Sequence, residues 1–253
     1  MARKNYGWKR SLPDHRDFMY SPPQNLLAVT LPAKVDLRSG CPPVVDQGNL
    51  GSCTANAIAV MIGFLTKKEK KTFFPVSRLF IYYQERSMEG TIRYDSGAYI
   101  RDGLTSVNRQ GCPHESLWPY VINKFTTRPT PATYTDGLLH RVSQYQKIDN
   151  TNIAAMKSCL ASGNTMVGGF SVYASFESDY VARTGMVPYP ALSEQLLGGH
   201  AVMICGYDDS IQRFICQNSW GTSWGDHGFF YMPYAYFCNG SLADDFWTAT
   251  LVA

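Results

Sequence analysis

The period of the apolar residues changes midway along the chain, and that change limits the folds open to it. Ile58, Met61, Ile62 and Leu65 recur at helical spacing after Ser52 and Cys53, among the helix formers Ala55, Ala57 and Ala59. A second helix is predicted from Ser77 through Leu79, Phe80, Tyr83 and Glu85. A third follows Gly97 through Ile100, Leu104 and Val107 and stops near Gly111, as a C-terminal glycine should make it. Residues 126–135 hold Thr, Pro and Tyr and read as a loop crossing between halves. Beyond it, apart from one short helix between Asn150 and Gly163, the signal is strand: Thr165–Val172, His200–Tyr207, Gln212–Gln217 and Gly228–Met232, with Asp208, Asp209 and Ser210 as a hairpin turn. Helices first and strands after predict an α+β fold of two lobes, about 40–130 helical and about 131–253 β-rich, with a cleft between them. Residues 1–30 share neither period and read as an extended N-terminal arm.

Several classes are excluded. The 253 residues carry a formal charge of only +3, too little to suggest nucleic-acid binding. No apolar run approaches the ~18 residues of a membrane span, so no membrane partner is expected. The basic first residues lead into no apolar run, so the expectation is a cytoplasmic protein, or one exported without a recognisable signal peptide. A monomer is expected. The run Lys67 to Lys71 suits a solvated helix C-terminus. The seven cysteines contain no C-x-x-C pair, and His15, His114, His140 and His227 have no ligand spacing, so neither a metal nor another cofactor is expected. Cys205 and Cys216 lie in apolar strand segments and read as buried free thiols. Cys41, Cys112, Cys159 and Cys238 permit disulfides without requiring them.

Cys53 is the exceptional cysteine. It opens a helix after Gly51 and Ser52, where the positive end of the helix dipole favours thiolate and small neighbours leave the sulfur approachable. Gln47, six residues earlier, can turn its side-chain NH₂ beside the thiol. With the Cys53 N–H this makes two donors aimed at one point, the requirement of an oxyanion hole. His200 begins an apolar strand and Asn218 ends the next, so a hairpin brings them close. A histidine takes the thiol proton and needs a third group to fix its ring, and an asparagine does this without adding charge. Trp220 can cover that hydrogen bond from water.

The segments Gln47-Gly48-Asn49-Leu50-Gly51-Ser52-Cys53, Gly199-His200-Ala201-Val202 and Asn218-Ser219-Trp220-Gly221-Thr222-Ser223-Trp224-Gly225 resemble those of the papain-like cysteine peptidases, over most of residues 31–253. The resemblance implies the two-lobed papain-like fold with its active-site cleft between a helical left lobe and a β-rich right lobe. It implies peptide hydrolysis through an acyl-enzyme on Cys53, with His200 as general base then acid, Asn218 orienting His200, and Gln47 serving the oxyanion hole. Gly97, Ala98 and Tyr99 look like the family's strip that binds substrate backbone. Gly199 and Trp220 are further candidates for lining the substrate site, and the partner implied is a peptide or protein. Two departures matter: Leu50 stands where a cysteine is common, removing a conventional disulfide, and Thr54 stands where a tryptophan is common. The short arm, with Tyr6-Gly7-Trp8, resembles that of a bacterial-type branch; it is expected to be an inhibitory arm or short prosegment across or beside the cleft, the alternative being an arm that only packs on a lobe. An acyl-transferring ligase or transpeptidase, or a catalytically silent peptide-binding homologue, are the alternatives.

Overall fold

The computed structural model describes residues 5–23, 30–70 and 72–251. Among them no helix is long and apolar enough to cross a membrane. The arm contributes β1 (Trp8–Lys9), and the globular part begins with β2 (Lys34–Asp36). The helix opened by Cys53, α1 (Cys53–Leu65), is buried along all of its residues. A helix with no solvent face must lie between two layers, and its small residues permit this close packing. It runs on as a π-helical turn over Thr66–Lys70, where Lys67, Lys68 and Glu69 are exposed as the charge run predicts. Lys71, the last of that run, lies outside the described residues.

The second helix, α2 (Arg78–Met88), starts at Ser77, whose Oγ accepts the Phe80 N–H at 3.2 Å. A two-residue strand, β3 (Ala98–Tyr99), precedes α3 (Ile100–Arg109). Gly111 follows at φ 80°, a conformation that suits glycine, and a Cβ there would sit 1.7 Å from the Gly137 carbonyl oxygen. The expected loop at 126–135 ends early, because Pro131 opens a short helix, α4 (Pro131–Gly137), at the helix position where its missing N–H costs nothing.

The second half is one seven-stranded sheet. Its strands are β4 (Val142–Ile148), β5 (Met166–Tyr173), β6 (Leu196–Asp208), β7 (Arg213–Gln217), β8 (Phe229–Pro233) and β9 (Ala243–Leu251), in the order β4-β9-β5-β6-β7-β8, with β2 pairing on β6. The helix expected between Asn150 and Gly163 is α5 (Ile153–Ala161), capped by the Asn152 side chain. Two strands escape the pattern. β4 buries only its two ends, so its apolar alternation is lost, and β9 carries two aspartates directly after its first residue, Ala243. One sheet face carries α1, in a core that joins Ile58, Met61, Leu79, Phe80 and Leu104 to Val167, Met203 and Trp247. The other carries an aromatic core of Phe170, Phe176, Phe214, Phe230, Phe237 and Phe246. All seven cysteines are free, and Cys53, Cys112, Cys159, Cys205 and Cys216 are buried.

The arm lies on this body. β1 pairs in parallel with β3, Trp8 opposite Ala98 and Lys9 opposite Tyr99. Further along, Asp17 forms an ion pair with Arg101 at 2.6 Å, and the Tyr20 N–H donates to the Lys147 carbonyl at 2.7 Å.

Candidate active site

The loop before α1 is shaped by its own backbone. Gly48 adopts φ 62°, its N–H donates to Asp46 Oδ1 at 2.8 Å, and both Asp95 carboxylate oxygens accept the Gly51 N–H at 3.0 Å. Cys53 is the first residue of α1, so its own N–H has no partner within the helix. Its side chain lies against β6, near the Ala201 backbone.

On the sheet side, His200 Nε2 lies 2.8 Å from Asn218 Oδ1, which also accepts the Ser219 backbone N–H at 2.8 Å. That backbone donor fixes which amide atom is oxygen. An amide oxygen can only accept, so His200 carries its proton on Nε2 and keeps a lone pair on Nδ1. Trp220 lies over the imidazole with centroids 5.0 Å apart and is itself packed by Phe176 and Trp224.

Gln47 is completely buried and tied to both sides of the site. Its Oε1 accepts from Ser219 Oγ at 2.6 Å, and its Nε2 donates to Leu50 O at 2.9 Å and to Asn5 O at 3.3 Å. Ser219 is the residue the sequence reading passed over: it fixes Asn218 through its N–H and Gln47 through its hydroxyl. Its place inside Asn218-Ser219-Trp220 was the available signal. Thr54 uses its hydroxyl to donate to Glu85 Oε2 at 2.9 Å, and burial holds that carboxyl well above the usual carboxylate range. Leu50 contributes through its carbonyl.

The arm crosses this group of residues. Asn5 offers its carbonyl to Gln47, and the Gly7 N–H faces the Cys53 sulfur. The Gly7 carbonyl accepts the Ala98 N–H at 2.7 Å, beside Gly97, which takes φ 67° and on which a Cβ would lie 2.2 Å from that same oxygen. Ala98 thus bonds the arm's main chain, with Gly97 packed against Gly7 and Tyr99 opposite Lys9 in the ladder. The Trp8 ring sits in a pit over Gly169 and Gly199, where added Cβ atoms would lie 2.0 Å and 2.8 Å from it, and its Nε1 donates to Asp245 Oδ2 at 3.2 Å. Tyr6 packs edge-on to His200 and near Trp220, and its hydroxyl donates to Glu177. Helix-dipole reasoning alone predicts a depressed thiol pKa at Cys53. Under the arm, burial outweighs it and pushes the thiol up to about 11, although backbone N–H groups of Ala201, Gly7 and Thr54 act the other way.

The arrangement can present a thiol, an imidazole lone pair and two N–H donors to one carbonyl group. The model of the papain family of cysteine proteases matches residues 31–245. An uncharacterised peptidase C1-like protein of Acanthamoeba polyphaga mimivirus is 39% identical, with 96% of this chain and 86% of that protein covered. The crystal structure of xylellain, a cysteine protease from Xylella fastidiosa, superposes with a TM-score of 0.92 at 40% identity, covering 100% of this chain and 99% of that one. Procathepsin B of Trypanosoma congolense shares the fold at a TM-score of 0.79 and 18% identity, covering 98% of this chain and 87% of that one.

Proposed function

This chain belongs to the papain family of cysteine proteases and is a cysteine peptidase; on that premise we propose that Cys53 is its nucleophile and that the N-terminal arm holds the enzyme inactive. His200 Nδ1 takes the thiol proton, and the thiolate attacks the scissile carbonyl. The oxyanion receives the Cys53 N–H and the Gln47 N–H that Asn5 O now engages. The second Gln47 N–H stays on Leu50 O and keeps the amide aimed. His200 then gives its proton to the leaving amine, and water resolves the acyl-enzyme by the reverse path. The observation that carries this reading is the shared acceptor Asn218 Oδ1, which leaves Nδ1 of His200 as the base.

The arm blocks without being cut. The group it turns to the sulfur is the Gly7 N–H, a donor that satisfies the sulfur, and not a carbonyl carbon that the sulfur could attack. Its Asn5 carbonyl takes the Gln47 donor that catalysis needs. Cys53→Ala is expected to abolish peptide cleavage, a loss of at least about 10⁴-fold, together with labelling by a thiol-directed epoxide; residual activity at the wild-type level would refute the assignment. Deleting residues 1–30 is expected to raise turnover of a short peptide, and an unchanged rate would refute the inhibitory role. Product analysis with an added amine separates hydrolysis from acyl transfer.

A further inference from the structure

Away from the cleft, His114, Asp136 and His140 each bring one ligand atom to within 4.8 Å of the other two. We propose that these three side chains bind a divalent transition-metal ion of the zinc class. The inference is independent of the peptidase reading. Sequence spacing hid the cluster, because the fold brings His114 to Asp136 and His140, which lie well further along the chain.

The three ligands are held by the backbone. His114 donates its N–H to Asp136 Oδ2 at 2.8 Å and sets Nδ1 2.9 Å from the same oxygen. Asp136 lies on α4, and the His140 N–H donates to the Gly137 carbonyl at its end, at 2.9 Å. The His140 carbonyl accepts the Cys112 N–H, also at 2.9 Å, which ties the turn back to the His114 segment. The two imidazoles are 5.0 Å apart between centroids, and Phe74 packs on both, at 4.1 Å and 4.6 Å. Phe74 and the backbone bonds of His140 thus hold a second imidazole beside the His114–Asp136 pair.

A tetrahedral ion with bonds of about 2.0–2.2 Å needs ligand atoms roughly 3.3–3.5 Å apart. His114 and Asp136 already approach this spacing, so a modest swing of the His140 ring completes three ligands. Two imidazoles and one carboxylate select zinc, copper or nickel over calcium or magnesium, which favour all-oxygen sets. A cavity of about 440 Å³, lined by the two histidines with Ile62, Thr66, Phe73, Leu139 and Arg141, lies beside them and leaves room for water or a carboxylate as a further ligand. Ile62 stands nine residues beyond Cys53 on α1, about 13 Å along the helix at ~1.5 Å per residue. The ion would therefore clamp α4 and its flanking turns near the far end of the nucleophile helix.

The test uses the full chain with Cys53→Ala, which removes the reactive thiol as a competing ligand. Titration with Zn²⁺ by calorimetry is expected to show one ion per chain, and Co²⁺ to give visible bands of nitrogen and oxygen coordination without thiolate charge transfer. His140→Ala, which leaves the His114–Asp136 hydrogen bond in place, should weaken binding at least about tenfold and remove the rise in melting temperature that Zn²⁺ produces. His15→Ala should leave both unchanged. Absence of binding, thiolate charge transfer, or equal binding in His140→Ala would overturn the proposal.

Discussion

The arm and the floor it covers are fastened in opposite ways. The floor is held from many directions at once: Gln47 is tied to Leu50 and Ser219, Gly51 to Asp95, and Asn218 to both His200 and Ser219. The arm is fastened by a short parallel ladder with β3 and by single side chains spaced along an extended strand, Tyr6 on Glu177, Trp8 on Asp245 and Asp17 on Arg101 among them. A floor of interlocked bonds survives the loss of its cover, whereas a strand on separate anchors can be removed by weakening any of them. The difference predicts opposite signs. Damage to the floor lowers turnover, and damage to the arm raises it.

The largest effect is expected on the floor. Asn218→Ala frees the His200 ring to rotate and should lower kcat by roughly 100-fold, with a displaced pH profile and little change in melting temperature. A wild-type profile would break the comparison. Next is Gly7→Ala. Its new Cβ would lie 1.8 Å from the Gly51 carbonyl oxygen, and backbone cannot yield as a side chain can. Overpacking of this kind costs about 1–3 kcal/mol, so peptide turnover should rise roughly 10- to 100-fold. The same variant removes the burial that raises the Cys53 thiol and leaves the helix N-terminus to lower it. The pH profile of alkylation by iodoacetamide should therefore move to lower pH, and an unmoved profile would show that the arm does not set the thiol's environment. Trp8→Phe keeps a ring in the pit but loses the hydrogen bond to Asp245, a change of about 1 kcal/mol; a several-fold rise in turnover is expected. Asp17→Asn is the mildest. It weakens an ion pair near the surface, worth up to about 1 kcal/mol, and two- to threefold activation that shrinks with added salt would sharpen the contrast between rim and centre.

What could be read from the sequence follows the same division. Cys53 after Gly51 and Ser52, His200 opening an apolar strand, and Asn218 closing the next are local patterns, and local patterns survive in one dimension. The path of the arm depends on pits at Gly169 and Gly199, where the absence of a side chain is the feature, and absence leaves no period to detect. β9 was hidden because Asp245, with φ 58°, bends the strand where its apolar alternation should begin. The helix at Pro131 was hidden because a proline reads equally as a loop residue and as a first helical residue. The thiol's raised pKa could not be foreseen from the helix start alone, since burial in the assembled site raises it, against the backbone N–H groups of Ala201, Gly7 and Thr54.

Because cover and floor belong to one polypeptide, their encounter does not depend on how many molecules are present. A tethered segment presents itself at an effective concentration on the order of millimolar. On the proposed inhibitory role, dilution therefore leaves the fraction of blocked molecules unchanged, and a substrate peptide must outcompete a neighbour that never diffuses away. Severing the tether is different in kind. It turns a unimolecular equilibrium into a bimolecular one, and at micromolar enzyme the same contacts would no longer suffice to keep the cleft filled.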